Sequence, residues 1–181
     1  MIKIKSIKTQ AFVCLAILAW LVSPVSLAQS CNLETTPNAP DHRYQDNADS
    51  TVTDLTTNLM WRQCAVGLSG ADCLSGSVEA FTWQGALDAV AASNLAAGFA
   101  GYNDWRLPNI KELRSLISLR CIDPAINVNL FPNTPQGWYW SSSPTAYDST
   151  YSWYVNFGSG FSHGYERSFQ HSPIRLVRTL P

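Results

Sequence analysis

Past its first 28 residues, the 181-residue sequence contains no apolar run of the ~18–20 residues that a membrane-spanning helix requires, and it has no surplus of basic charge. The first absence excludes a bundle of membrane helices. The second excludes nucleic acid as a partner, because phosphate binding relies on clustered Lys and Arg. No Cys-x-x-Cys or His-Glu-x-x-His spacing occurs, which removes the common zinc sites. Ser141, Ser142 and Ser143 are not set in a Gly-x-Ser-x-Gly elbow, so they do not present a hydrolase nucleophile. Gly158, Gly160 and Gly164 do not compose Gly-x-Gly-x-x-Gly, which removes a dinucleotide cradle. His42, His163 and His171 are scattered, and Asp46, Asn47 and Asp49 lack the other ligands of an EF-hand loop and suit an Asx-turn instead. The expectation is a protein with no catalytic residue, no metal and no cofactor.

What is present begins with a targeting pattern. Lys3, Lys5 and Lys8 precede an apolar run over residues 11–22, and Ser26-Leu27-Ala28 ends it with the small-x-small pattern of signal peptidase. Residues 1–28 are therefore expected to be a secretory signal, leaving a mature chain of 153 residues from Gln29 with no membrane anchor. Removing the three lysines leaves nine basic residues against 13 acidic ones, a net charge of −4. Cys31 lies near the cleavage point, but no leucine stands three positions before it, which argues against lipidation. A chain of this length fits one domain.

Of five cysteines, Cys14 leaves with the signal and Cys31, Cys64, Cys73 and Cys121 remain. An even count in an exported chain favours two disulfides, and four cysteines permit three connectivities. Locality favours Cys64 with Cys73, leaving Cys31 with Cys121. The destination is then an oxidising one: periplasm, cell surface or medium.

Residues 29–42 carry Pro37 and Pro40 and read as an irregular tether. From Arg43 onward, turn residues 46–49, β-branched Thr51-Val52-Thr53 and apolar Leu59-Met60-Trp61 predict a hairpin, with Asn58 at positive φ. Residues 64–80 read as a Gly- and Ser-rich loop closed by the nearer cysteine pair. Thr82 caps a helix to about Ala92, with Trp83, Ala86, Leu87 and Val90 on one face. Gly85 weakens it by ~1 kcal/mol relative to alanine. Pro108 is placed in the first turn of a second helix, whose face is Ile110, Leu113, Leu116 and Ile117. Strands are expected at 138–143, 151–157 and 174–178, with 158–167 as a binding loop.

Six Trp and seven Tyr remain in the mature chain. Sugars offer flat C–H faces ringed by hydroxyls, which suit aromatic rings beside planar polar groups. Tyr147, Tyr151, Tyr154, Phe161 and Tyr165, with Asn156, His163, Glu166 and Arg167, form the candidate ligand-binding set. The competing reading is that these rings serve the core.

Five ordered motifs carry a family resemblance: Thr53 to Trp61 with Asn58-Leu59-Met60, Thr82-Trp83-Gln84 with Ala86-Leu87, Asp104-Trp105-Arg106-Leu107-Pro108-Asn109 with Glu112-Leu113, Tyr139-Trp140 with its three serines, and Val155 to Gly158 with Val177-Arg178. Over residues 43–179 the chain resembles the Lcl C-terminal domain family, named for the C-terminal domain of a bacterial collagen-like adhesin. Asn58, Ala48 and Ser50 stand where that family carries glycine, and Gly85 where it carries Glu. Parts of the pattern are also similar to formylglycine-generating-enzyme-type and C-type-lectin-like domains, though the copper cysteines of the former and the calcium triplets of the latter are missing. The resemblance implies an α+β, C-type-lectin-like fold with two helices packed on a small twisted antiparallel sheet. Trp61, Trp83, Trp105, Arg106, Pro108, Glu112 and Trp140 are then structural, with Arg106 pairing with Glu112 and with Trp105 and Leu107 under the first helix.

The function expected from all this is an exported, non-catalytic recognition or adhesion module with a glycan or a surface protein as partner. The alternatives are a structural component of a bacterial surface assembly and a degenerate enzyme of the formylglycine-generating type.

Overall fold

The computed structural model describes residues 29–95, 97–168 and 172–181. The expected signal at 1–28 and His171 lie outside the described residues. Two larger sheets carry the architecture. In the first, β2 (Tyr44–Asp46), β3 (Thr51–Asp54), β4 (Leu59–Arg62) and β11 (Val177–Thr179) pair antiparallel in the order β11-β4-β3-β2. In the second, β8 (Trp138–Pro144), β9 (Tyr151–Asn156) and β10 (Ser162–Glu166) form an antiparallel meander. Two ribbons complete the set: β1 (Ser30–Cys31) with β7 (Cys121–Ile122), and β5 (Leu68–Ser69) with β6 (Ser75–Gly76).

This corrects the expected fold class. Among the described residues the chain is mostly β, with eleven strands in four sheets and 13% helix, and α1 (Trp83–Ser93) alone exceeds six residues. The second helix, α2, spans only Ile110–Ser115. It stops because the chain after it is claimed elsewhere: Ile117 bridges to Ile126, and the Ser118 N–H donates to the Ala125 carbonyl at 3.0 Å. The 64–80 loop contains the β5-β6 ribbon. Half of the expected binding loop at 158–167 is strand β10, which Ser162 and Gly164 hid from a propensity reading.

The central strands of both sheets are buried on two sides, because apolar side chains alternate between two cores. Leu59, Trp61, Val52, Val177, Tyr139, Val155 and Phe157 point into one, with Leu113, Leu116 and Phe131. Met60, Trp140, Tyr154, Ile174 and Leu176 point into the other, with Trp105, Leu107 and Ala86 of α1. Thr82 caps α1 by accepting the Gly85 N–H at 3.1 Å.

The segment leading into α2 is a joint. Trp105 and Leu107 are buried in the core beneath α1. The Asn94 carboxamide, at the end of α1, binds both the N–H and the carbonyl of Trp105, at 2.9 and 2.7 Å. Asn109, not Pro108, stands at the helix start as its N-cap, since Asn109 and Glu112 form a reciprocal capping box. Pro108 therefore stands one residue before the cap, and its carbonyl accepts the Ser142 N–H at 2.8 Å. Arg106 meets Glu112 through two parallel bonds of 2.8 Å, while its backbone pairs with Val177 of β11. One carboxylate thus fixes a helix start and a sheet edge together.

The 29–42 lead-in is irregular but docked rather than a free tether. Cys31 and Cys121 sit opposite each other in β1-β7 and form one disulfide, and Cys64 with Cys73 forms the second. Asn38 donates to the Ile117 carbonyl and accepts the Leu119 N–H, both at 2.7 Å.

Turn geometry yields a first prediction. Asn58 sits at φ 55°, as its residue type suggests, but Ala48 and Ser50 also occupy positive φ, at 61° and 67°. Side chains there cost ~1–2 kcal/mol each, partly offset by the greater unfolded freedom of glycine. Ala48→Gly and Ser50→Gly together are expected to raise Tm by about 2–6 °C in calorimetry. A fall would show that the turn is held by its side chains.

A second prediction concerns acid. Arg43 meets both oxygens of buried Asp54, at 2.9 and 2.5 Å. Burial pushes the Asp54 carboxyl up, but the bonds from Arg43, Thr57 and the Thr56 backbone outweigh it and hold it below its ordinary 3.8. For Glu112, burial likewise pushes up, and Arg106 and the Asn109 backbone bring the carboxyl below its ordinary 4.5. A carboxyl with a lowered folded pKa binds fewer protons folded than unfolded, so its contribution is complete above the ordinary value and lost as pH falls through the lowered one. Urea denaturation is expected to give a flat unfolding free energy above about pH 5.5 and a progressive fall below about pH 4, with a shallower fall in Asp54→Asn.

Candidate functional site

The meander of β8, β9 and β10 presents one aromatic face. Its register places Trp140, Tyr154 and His163 in a row, with Trp138 opposite Asn156 and Tyr165 opposite Ser152. Because alternate residues share a face, Trp138, Trp140, Tyr154, His163 and Tyr165 all lie on the same side. Trp138 stacks on Tyr154 with ring centroids 4.1 Å apart and planes 21° apart. Tyr154 lies 5.2 Å from Tyr165 and 5.6 Å from Trp140, and the His163 ring stands edge-on at 6.4 Å.

The stack grades from core to rim. Trp140 is fully buried, and its indole N–H donates to the Phe81 carbonyl at 2.8 Å. Tyr154 is 7% exposed and Tyr165 38%, with Trp138 half-buried and His163 exposed. Burial pushes the Tyr154 phenol up, and the nearby phenols of Tyr165 and Tyr147 push the same way. The Tyr154 phenol therefore stays protonated at neutral pH.

The structure divides the remaining candidates. Asn156 Oδ1 accepts the backbone N–H groups of Gly158 and Ser159 at 2.8 and 2.9 Å, so it shapes the β9-β10 turn. Arg167 joins the hairpin to α1: its Nε donates to the Ser152 hydroxyl at 2.7 Å, and its guanidinium lies 4.2 Å from the Trp83 ring centroid. Glu166 accepts from the Ser168 hydroxyl at 2.6 Å. Phe161, 70% exposed, stands just before β10. Tyr147 is exposed and 5.8 Å from Tyr151, with its hydroxyl over the bare Cα of Gly164. Any Cβ at Gly164 would run into that hydroxyl.

Tyr154, His163 and Tyr165 thus come together, whereas Asn156 and Arg167 are spent on the scaffold. Trp138 completes the face and was not among the sequence candidates. Its signal was the Trp138-Tyr139-Trp140 alternation, which puts both indoles on one side of a strand. Trp61, Trp105 and Trp140 are buried, and Trp83 donates its indole N–H to the Ser141 carbonyl at 2.9 Å.

Among models of known families, the one described as the Lcl C-terminal domain matches residues 50–178. A search of the curated proteins finds no match.

Proposed function

Since the chain belongs to the Lcl C-terminal domain family, we propose that it is an exported, non-catalytic recognition and adhesion module that binds glycans through the aromatic face of β8, β9 and β10. The observation that carries this reading is the graded stack itself. Trp138 and Tyr165 offer ring area at the rim of a fully packed base, so little side-chain freedom is lost on binding. The Tyr154 phenol and the His163 ring stand beside those rings as hydrogen-bonding groups for sugar hydroxyls. Two disulfides are consistent with an oxidising destination.

A glycan array probed with the purified chain tests the reading. Binding to at least one glycan class is expected, weakened about fivefold or more by Tyr165→Ala, taking the about 1–3 kcal/mol that a flat base gains on one aromatic ring as the scale, and little changed by Phe161→Ala. Binding that survives both Tyr165→Ala and Trp138→Ala would remove the aromatic face from the function.

A second reading, a protein-contacting component of a surface assembly, is favoured by one feature. Leu33, Leu119 and Ile122 expose apolar side chains in and beside the β1-β7 ribbon. Capture of a protein partner, lost in Leu119→Ser and joined by silence on the array, would support that reading instead.

A further inference from the structure

We propose that the cleft beside the Cys31–Cys121 ribbon is a binding site for a small zwitterion of the α-amino-acid class, carrying an ammonium and a carboxylate together. The cleft has a volume of about 270 Å³, and its walls come from the lead-in, from residues 118–121 and from residues 126–129. That volume falls just below the range usual for small-molecule sites, so the occupant is small.

The walls are fixed without a ligand. The disulfide holds one side covalently. Gln29 Nε2 donates to the carbonyls of Pro124 and Ile126 at 2.6 and 2.7 Å. The Asp41 carboxylate accepts from Asn127 Nδ2 at 2.8 Å and Asn129 Nδ2 at 2.9 Å. Asn127 is itself pinned, because its Oδ1 accepts the backbone N–H groups of Asn129 and Leu130.

Among the described residues, neither charge of this cleft is met by an opposite one. The partners of Asp41 are neutral carboxamides, and a carboxylate accepts about four hydrogen bonds, of which two are used. Arg120 lines the same cleft, and among the described residues its guanidinium makes no ion pair. A ligand of one sign would satisfy one of these groups and leave the other alone. A zwitterion satisfies both, its ammonium at Asp41 and its carboxylate at Arg120, through charge-assisted hydrogen bonds. Pro37, Pro40, Ile126 and Val128 supply apolar wall for the carbon atoms between. None of the lining residues belongs to the aromatic face, so either site stands if the other fails.

The test is thermal unfolding of the purified chain with glycine, L-alanine, L-serine, L-lysine and glycylglycine in turn. Methylammonium chloride and sodium acetate at equal ionic strength are the single-charge controls. At least one zwitterion, at about ten times its Kd, is expected to raise Tm by about 3–6 °C, and neither control is expected to do so. Arg120→Gln and Asp41→Asn should each abolish the rise. Val128→Trp, which fills the cleft and leaves both charges in place, should abolish it without lowering the unliganded Tm. The proposal is overturned by a rise with acetate or methylammonium equal to that of the zwitterions, by no rise with any zwitterion, or by a rise that persists in Val128→Trp. Should Asp41→Asn fail to fold, the other two variants decide.

Discussion

Replacing Cys31 and Cys121 together by serine is expected to lower the unfolding free energy by about 4–5 kcal/mol, against about 2–3 kcal/mol for Cys64 and Cys73. The difference follows from loop size: the first bridge spans 90 residues and the second nine. Cross-linking a longer loop removes more freedom from the unfolded chain. Since a domain holds only about 5–15 kcal/mol in total, the first loss is a large share. The lead-in should loosen with it, because the bonds of Gln29 and Asn38 to residues 117–126 depend on that bridge bringing the segments together. Urea denaturation of the two double variants checks the order, and a larger loss at Cys64 and Cys73 would contradict it.

Arg175→Ala is the second large effect, at about 3–5 kcal/mol from the cavity and the lost donors together. Arg175, in the segment that leads into β11, is fully buried and lies over Phe131 with 5.0 Å to the ring centroid. Its Nη1 donates to the carbonyls of Arg62 and Gln63, and its Nη2 to the Thr134 hydroxyl at 2.8 Å. Burial pushes the guanidinium down to about 10, with the Tyr139 phenol opposing and the neighbouring Arg62 cation adding to the shift. Alanine would leave a cavity and take a donor from the Arg62 and Gln63 carbonyls, a buried unpaired acceptor costing about 1–3 kcal/mol, while the Thr134 hydroxyl would keep its bond to the Phe131 carbonyl at 2.8 Å. Arg175→Met restores volume but not donors, so it should recover only part of the loss. If Met matched the native arginine in urea denaturation at an unchanged m-value, the cost of burying the charge would have cancelled its hydrogen bonds.

The elements legible in the sequence were those fixed by neighbours along the chain. The turn at Asn58, the Thr82 cap and helix α1 all depend on residues within a few positions. The pairing of Arg106 with Glu112 is six residues apart and was legible for the same reason. Elements fixed by distant partners were not. Strand β10 contains Ser162 and Gly164, poor strand formers, and exists because β9 supplies its hydrogen bonds. Ribbons β1-β7 and β5-β6 are two residues per strand, too short for any period to register. The expected two-helix layer failed for a related reason: the apolar spacing through Ile117 continued past the point where the bridge to Ile126 ends α2.

The candidate site followed the same division. Ring-bearing positions on β9 and β10 were visible as types, and Tyr154, His163 and Tyr165 do meet. The employment of Asn156 and Arg167 in turn and helix contacts could be seen only once Gly158, Ser152 and Trp83 were placed. Arg175 gave no signal, because one cation between Ile174 and Leu176 reads as a solvent-facing residue of a half-buried strand.

The double-sided burial of the central strands sets how they tolerate change. A strand with one wet face accepts replacement at every other position, giving a two-beat record in a saturation library. Along Leu59, Met60 and Trp61, and again along Tyr139 and Trp140, each successive side chain enters one hydrophobic interior or the other. Such a library should therefore show an unbroken intolerant block at these positions, and variation should gather at the rims and turns.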